Sequence, residues 1–192
     1  ISFLRSMISN TRRIEMGTVA PWLKHLTVFP DCMSPLQAEI SYKIWKTKVA
    51  FGKGDNVKLV EGGALFRDVI DATICIIPTK YDASGKPIEY SSGQKVFKEH
   101  IRKVQNLERV VKGERTYTTV VKYELPAGFK KCLTTDGKPD ISKLAIYSAK
   151  FASTISEILA HPNEVVFIYD EYVTGCGGCI MLGLLLGFFG LT

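Results

Sequence analysis

The sequence predicts an α/β domain built on a parallel sheet, and three observations predict it. The first is the order of elements near the end of the 192-residue chain. A helical pattern, "DISKLAIYSAKFASTISEILAHP", runs into the apolar stretch "EVVFIYDEY", then a glycine-rich turn and a second apolar helix. Helix, strand, tight loop and helix is the order in which parallel α/β sheets are built. The second is that Val165–Tyr169 is continuously apolar rather than alternating, the pattern of a strand buried on both faces. The third is composition: 46% hydrophobic residues is enough for a core and argues against disorder.

The elements follow in order. Residues 1–25 form a basic, irregular lead-in, and "LTVFP" (26–30) reads as a short strand. A helix starts at Pro35, with Ser34 as its cap and proline at its first position, and Gly52 and Gly54 break it. "ALFRDVIDA" is a helix turn or two, "TICIIP" a strand, and "TKYDASGKPIEYSSG" a long polar loop. "QKVFKEHIRKVQNLERVV" places apolar residues at 96, 97, 101, 104, 107, 110 and 111, a helical spacing. Its other face carries Lys95, Lys98, Arg102, Lys103 and Arg109. "TYTTVVKYEL" is β-branched and aromatic and reads as a strand, ended by Pro126 and Gly128. The helix over 140–161 is capped by Asp140 and stopped by Pro162.

Charge divides the chain. All 25 Lys and Arg lie in residues 1–150 beside 15 of the 19 acids, a balance of +10, whereas residues 151–192 hold four acids and no Lys or Arg. A basic body suits a polyanion, nucleic acid first, with a solvated lysine-rich surface as the alternative. The same two readings apply to the face bearing Lys98, Arg102 and Lys103. Five scattered cysteines (32, 75, 132, 176, 179) speak against a secreted disulfide framework and for a reducing compartment. No charged-then-apolar leader follows Ile1, so no signal peptide is expected and the chain reads as a segment of a longer protein.

The closing segment suggests four chemistries. Asp170-Glu171 resembles the magnesium-binding end of an ATPase strand, but the required GxxxxGK[ST] loop is absent: Gly52-Lys53-Gly54 and Gly85-Lys86-Pro87 do not fit. Cys176-x-x-Cys179 has redox spacing, but too little chain follows for a thioredoxin-like fold. A zinc site lacks a second Cys pair, and the histidines (25, 100, 161) are distant, so no metal ligand is assigned. The apolar run from Cys179 is short for a membrane span and has no flanking Lys or Arg, so no transmembrane segment is expected. What remains is ligand contact at the end of the strand. Gly175, Gly177 and Gly178 can expose amide N–H groups at a helix N-terminus, a site for a phosphate; the alternative is that these glycines only allow close helix–sheet packing.

Two segments resemble one family. Leu4-Arg5, the strand Thr27–Pro30, Met33-Ser34-Pro35-Leu36-Gln37 and Tyr42 are similar to the entry into the second lobe of Swi2/Snf2-like superfamily 2 motors. "SAKFASTISEILAHPNEVVFIYDEYVTGCGG" resembles the helix and strand of the fourth helicase motif. The extended forms are most similar to helicases of large cytoplasmic DNA viruses, a group that includes the ATPase subunit of the poxvirus early transcription factor. The resemblance covers about residues 1–48 and 140–190.

It implies a partial RecA-like lobe with a parallel sheet and a basic insertion. Residues 1–25 would end the first lobe and link to the second, and 26–192 would begin the second lobe, with an insertion at 49–139. It implies ATP and Mg2+ in the full-length protein, bound outside this chain, so no catalytic residue is expected here. DNA is the implied partner, with viral RNA polymerase or other transcription factors beside it and no membrane, in the host cytoplasm (the viral factory) or the virion. Implied nucleic-acid contacts are Tyr172, Thr174 and Gly175, with Arg5, Arg12 and Arg13 at the lobe junction, where the arginines can instead form interlobe ion pairs. The alternative function is a non-catalytic DNA- or protein-docking module of a viral transcription or packaging assembly.

Overall fold

Helices and short antiparallel strand pairs alternate along the residues that the computed structural model describes, 32–50, 67–111 and 114–191. All of these belong to the larger of two units, Asp31–Thr192. The helices are α1 (Pro35–Ala50), α2 (Arg67–Ile74), α3 (Gln94–His100), α4 (Ala127–Cys132), α5 (Ile141–Tyr147), α6 (Ala149–Ala160) and α7 (Cys179–Phe188). The strands are β1 (Ile77–Tyr81), β2 (Pro87–Ser91), β3 (Arg102–Val111), β4 (Glu114–Tyr123), β5 (Thr134–Thr135) and β6 (Lys138–Pro139). The fold is therefore α/β in the broad sense of mixed helix and sheet.

The expected parallel sheet does not occur among the described residues. β1 pairs with β2, β3 with β4 and β5 with β6, each antiparallel. The reason lies in the connections: parallel neighbours need a crossover of about a dozen residues or more, whereas these strands return through short turns. The stretch read as a long polar loop is a hairpin, its turn held by Asp82, whose Oδ1 accepts from the N–H groups of Ser84 (2.9 Å) and Lys86 (2.8 Å). In the smallest hairpin Asp136 and Gly137 both have positive φ, 52° and 77°, the twist that a two-residue hairpin turn requires.

Two sequence-based helices change form. The helix expected over 94–111 stops at His100, and from Arg102 the chain is strand, in unbroken one-to-one register from Arg102↔Tyr123 to Val111↔Glu114. A helical spacing of apolar residues yields here to cross-strand pairing with a β-branched, aromatic partner. The long helix over 140–161 is two helices broken at Ser148. Asp140 Oδ1 caps α5 through the Ser142 N–H (2.8 Å), and Ser148 Oγ caps α6 through the Phe151 N–H (3.1 Å). Ser148 Oγ also donates to the Ile74 carbonyl (2.7 Å), so the break lets one hydroxyl serve two elements. α1 starts as its sequence predicts: Ser34 Oγ accepts from the Gln37 N–H (3.0 Å).

One core holds these elements together. Its centre is Ala72 and Ile74–Ile77, surrounded by Phe97, Ile101, Phe129, Leu133, Leu144, Phe151, Ile155, Met181 and Leu185. Residues 67–133, inside the stretch expected as an insertion, thus supply much of the core. α7 turns Met181, Leu182 and Leu185 inward. No helix among the described residues is long and apolar enough to cross a membrane.

Val165–Tyr169 departs furthest from its expectation as a doubly buried strand. It joins no sheet, Phe167 is 89% and Tyr169 82% exposed, and Val165 is fully exposed. A strand is stable in water only with a neighbour to pair its backbone and a layer to cover its side chains. Among the described residues neither is present. The expected strand 26–30 lies outside the described residues.

Candidate functional site

The loop after that segment, residues 170–178, folds back onto α2. The i,i+4 spacing of Arg67 and Asp71 puts both on one face of α2, and Arg67 Nε donates to Asp71 Oδ1 (3.1 Å). Arg67 Nη2 donates to the Thr174 carbonyl (2.6 Å), and the guanidinium lies 3.2 Å from the centroid of the Tyr172 ring. From the start of α3, Gln94 Nε2 donates to the same carbonyl (2.9 Å) and to Thr174 Oγ1 (3.1 Å). Tyr172 and Thr174, which the sequence singles out, are thus gathered by two residues that it did not, Arg67 and Gln94. The signal was present: "FRDVIDA" carries the Arg–Asp spacing, and Gln94 follows a helix-starting glycine.

Asp71 is fully buried beneath this loop, and its Oδ2 has no hydrogen-bond partner. Burial pushes its carboxyl up to about 6 despite the Arg67 guanidinium beside it. Gly175, with φ 105°, passes directly over it: a Cβ there would stand 2.4 Å from Asp71 Oδ2. Glycine is required at 175 for both backbone conformation and space.

Of the glycine amides that the sequence offers for a phosphate, that of Gly178 is used inside the loop, donating to the Gly175 carbonyl (3.3 Å). The N–H groups of Cys179 and Ile180, which open α7, donate to the carbonyls of Tyr172 (2.8 Å) and Val173 (3.1 Å). Gly175–Gly178 are buried, and the nearest anion is the Asp71 carboxylate itself. The groups that this loop presents to solvent are side chains, the exposed Glu171 and Val173 first and the half-buried Tyr172 and Thr174 between them.

The other chemistries of the segment can be placed as well. Asp170 Oδ1 accepts from the Tyr172 N–H (3.0 Å), a local turn. Among the described residues no three His, Cys, Asp or Glu side chains are grouped so as to hold a metal ion. Cys176 is buried, and desolvation pushes its thiol up to about 12, opposite to what an attacking thiolate needs. Arg5, Arg12 and Arg13 lie outside the described residues.

The second motif-bearing segment reaches the same helix from its other end. Gln37, fully buried on α1, donates through Nε2 to the carbonyls of Thr73 (3.1 Å) and Ile74 (3.1 Å), and more weakly to that of Ala72 (3.4 Å). Its Oε1 accepts from the Ala149 N–H at the start of α6 (3.3 Å). One side chain therefore ties α1, the end of α2 and α6 together. Comparison with known proteins supplies no relative: no family model matches the chain, and no curated protein or solved structure matches it.

Proposed function

We propose that the chain is part of an ATP-dependent DNA helicase or translocase of the Swi2/Snf2-like kind found in large cytoplasmic DNA viruses, acting in viral transcription or genome handling. One observation supports this reading above the others. The two segments that resemble the family are separated by about 100 residues of sequence, yet both converge on α2: Gln37 binds the carbonyls at its C-terminal end, and Arg67 at its start holds Tyr172 and Thr174. On this reading Val165–Tyr169 is a strand of a parallel RecA-like sheet whose neighbours lie outside the described residues. ATP and Mg2+ belong to the full-length protein and not to this chain. The contribution of this chain is contact with DNA, through Tyr172 and Thr174 and through the cations of its basic body, where charge neutralisation and counterion release supply the affinity. Gly175, also expected as a contact, is buried over the Asp71 carboxylate and is left out.

The test is titration of the 192-residue chain with labelled duplex DNA at several salt concentrations, alongside an ATPase assay. Salt-dependent binding without ATP turnover is the expected result. Turnover by this chain alone would overturn the placement of the catalytic motifs, and a flat salt response would overturn the phosphate contact. Tyr172→Ala with Thr174→Ala should weaken binding; binding equal to wild type would remove those two residues from the interface.

The exposure of Val165–Tyr169 favours a second reading, a non-catalytic docking module that pairs this strand with another protein. Amide hydrogen exchange on the chain alone separates the two. Slow exchange at 166–169 supports a strand already paired within the chain, and fast exchange supports one that waits for a partner.

A further inference from the structure

The β3–β4 hairpin stands apart from the core. Each strand has ten residues in continuous register, so the ribbon is about 34 Å long. Its main neighbour other than itself is α3, at its base, where the Tyr123 ring meets Phe97 at 5.8 Å. Beyond that base both faces carry exposed residues. Val104 is 55% exposed on one face opposite the half-buried Val121, and Gln105 and Thr118 are exposed on the other, with Val120 half-buried between Lys122 and Thr118. A two-stranded ribbon on its own is marginal in water.

Its charges are also unbalanced. Residues 102–123 hold six cations, Arg102, Lys103, Arg109, Lys112, Arg115 and Lys122, against two acids, Glu108 and Glu114. The register sets Lys103 directly opposite Lys122, a like-charge pair that destabilises a ladder, and no ion pair to a described acid neutralises either. The Nε of Arg102, at the same end, is buried without an acceptor. By strand alternation the next position on the face of Lys103 and Lys122 is the exposed Gln105, paired with Val120, and the one after it the exposed Thr118, paired with Leu107.

We infer that this ribbon is a duplex-DNA-binding arm that lies in the major groove, its cations on the flanking phosphates and its Gln105 and Thr118 positions toward the base edges. The B-form major groove is about 12 Å wide and admits a two-stranded ribbon, and the ribbon's length matches about one helical turn. The A-form major groove is too narrow for side chains to read, so duplex RNA is the poorer fit. The inference deepens the DNA-binding reading above and rests on it.

The experiment measures anisotropy of a fluorescein-labelled B-DNA duplex of about 20 bp with the full chain across salt. Lys103→Gln with Lys122→Gln should weaken binding about tenfold and lower the slope of log affinity against log salt by nearly two, about 0.9 for each phosphate no longer neutralised. Lys138→Gln with Lys143→Gln removes the same charge from another part of the basic body and should weaken binding clearly less than the ribbon pair. The pair K103R/K122R keeps the charge and should bind as wild type, which separates a missing charge from a misfolded ribbon. Equal weakening by both Gln pairs, or none by the ribbon pair, would overturn the arm while leaving DNA binding intact. Absence of binding by the wild-type chain would overturn both the arm and the reading beneath it. A duplex RNA or an acidic peptide that competes as well as the DNA would overturn groove docking in favour of a general polyanion surface.

Discussion

Ile74–Ile77 and Val165–Tyr169 are similar in sequence and opposite in structure. Both are short apolar runs, and both read as strands, the second as one buried on both faces. Ile76 and Ile77 are wholly inaccessible to solvent, whereas Phe167 is 89% exposed. The difference is in what answers the backbone. Around the first run the Ile74 carbonyl accepts from Gln37 and Ser148, the Cys75 carbonyl from Ser92 (2.7 Å), and the Ile76 N–H donates to the Tyr147 carbonyl (3.0 Å). Around the second, among the described residues, no backbone hydrogen bond ties Val165–Tyr169 to another element. Hydrophobicity selects what should be buried, but a chain segment can be buried only where its polar backbone is satisfied.

The largest test of this contrast is a pair of truncations. Ile77→Ala should cost about 2–5 kcal/mol, from lost transfer energy plus the cavity left behind. Phe167→Ala should stay within about 0.5 kcal/mol, as for an exposed side chain. Urea midpoints measure both. A Phe167→Ala cost as large as that of Ile77→Ala would break the comparison and place the second run in a core.

The next test attacks the hydrogen bonds rather than the side chains. Gln37→Leu keeps the approximate volume of the side chain but leaves buried carbonyls at the end of α2 short of a donor. Each such loss costs about 1–3 kcal/mol. Thermal denaturation should show a clear fall in Tm, and an unchanged Tm would mean that this buried amide is dispensable.

A smaller effect concerns Asp71, on the helix that leads into the buried run. Folding raises its carboxyl from an ordinary 3.8 to about 6. The native state therefore holds the proton more tightly than the unfolded chain, and the stabilisation from this group is full below the unfolded value and lost as pH rises through about 6. Going from about pH 7.5 to pH 5, wild type should gain about 1 kcal/mol relative to Asp71→Asn, roughly 3 °C in Tm. A difference that is flat with pH would mean that Asp71 titrates as an ordinary surface acid.

The smallest effect on stability is expected from a charge on the exposed run. Val165→Lys should leave the urea midpoint within about 0.5 kcal/mol of wild type while reducing self-association in light scattering, because an unpaired apolar strand is a template for pairing. A large loss of stability would again place the run in a core.

Much of the fold was legible because it depends on neighbours in sequence. Ser34 and Pro35 start α1, Asp140 caps α5, and glycine precedes α7, each through groups within a few residues of the helix end. Tyr172 and Thr174 were legible as the exit from an apolar run. Arg67 and Gln94 were not tied to them, because they meet Thr174 across 107 and 80 residues of chain. The helix read through 94–111 failed for a related reason: helical spacing and strand alternation overlap there, and only the partner strand β4 decides between them.

The sequence by itself determined the local boundaries, the division into a basic body and an acidic end, and which residues are apolar enough to be buried. Tertiary structure alone decided which of two similar runs became the core, that the strands pair antiparallel, and that the glycine loop closes over Asp71 with its amides turned inward. Caps and turns are satisfied by atoms a few residues away, so the local sequence states them. Burial and strand pairing are satisfied by atoms far away in sequence, and only the fold brings those atoms together.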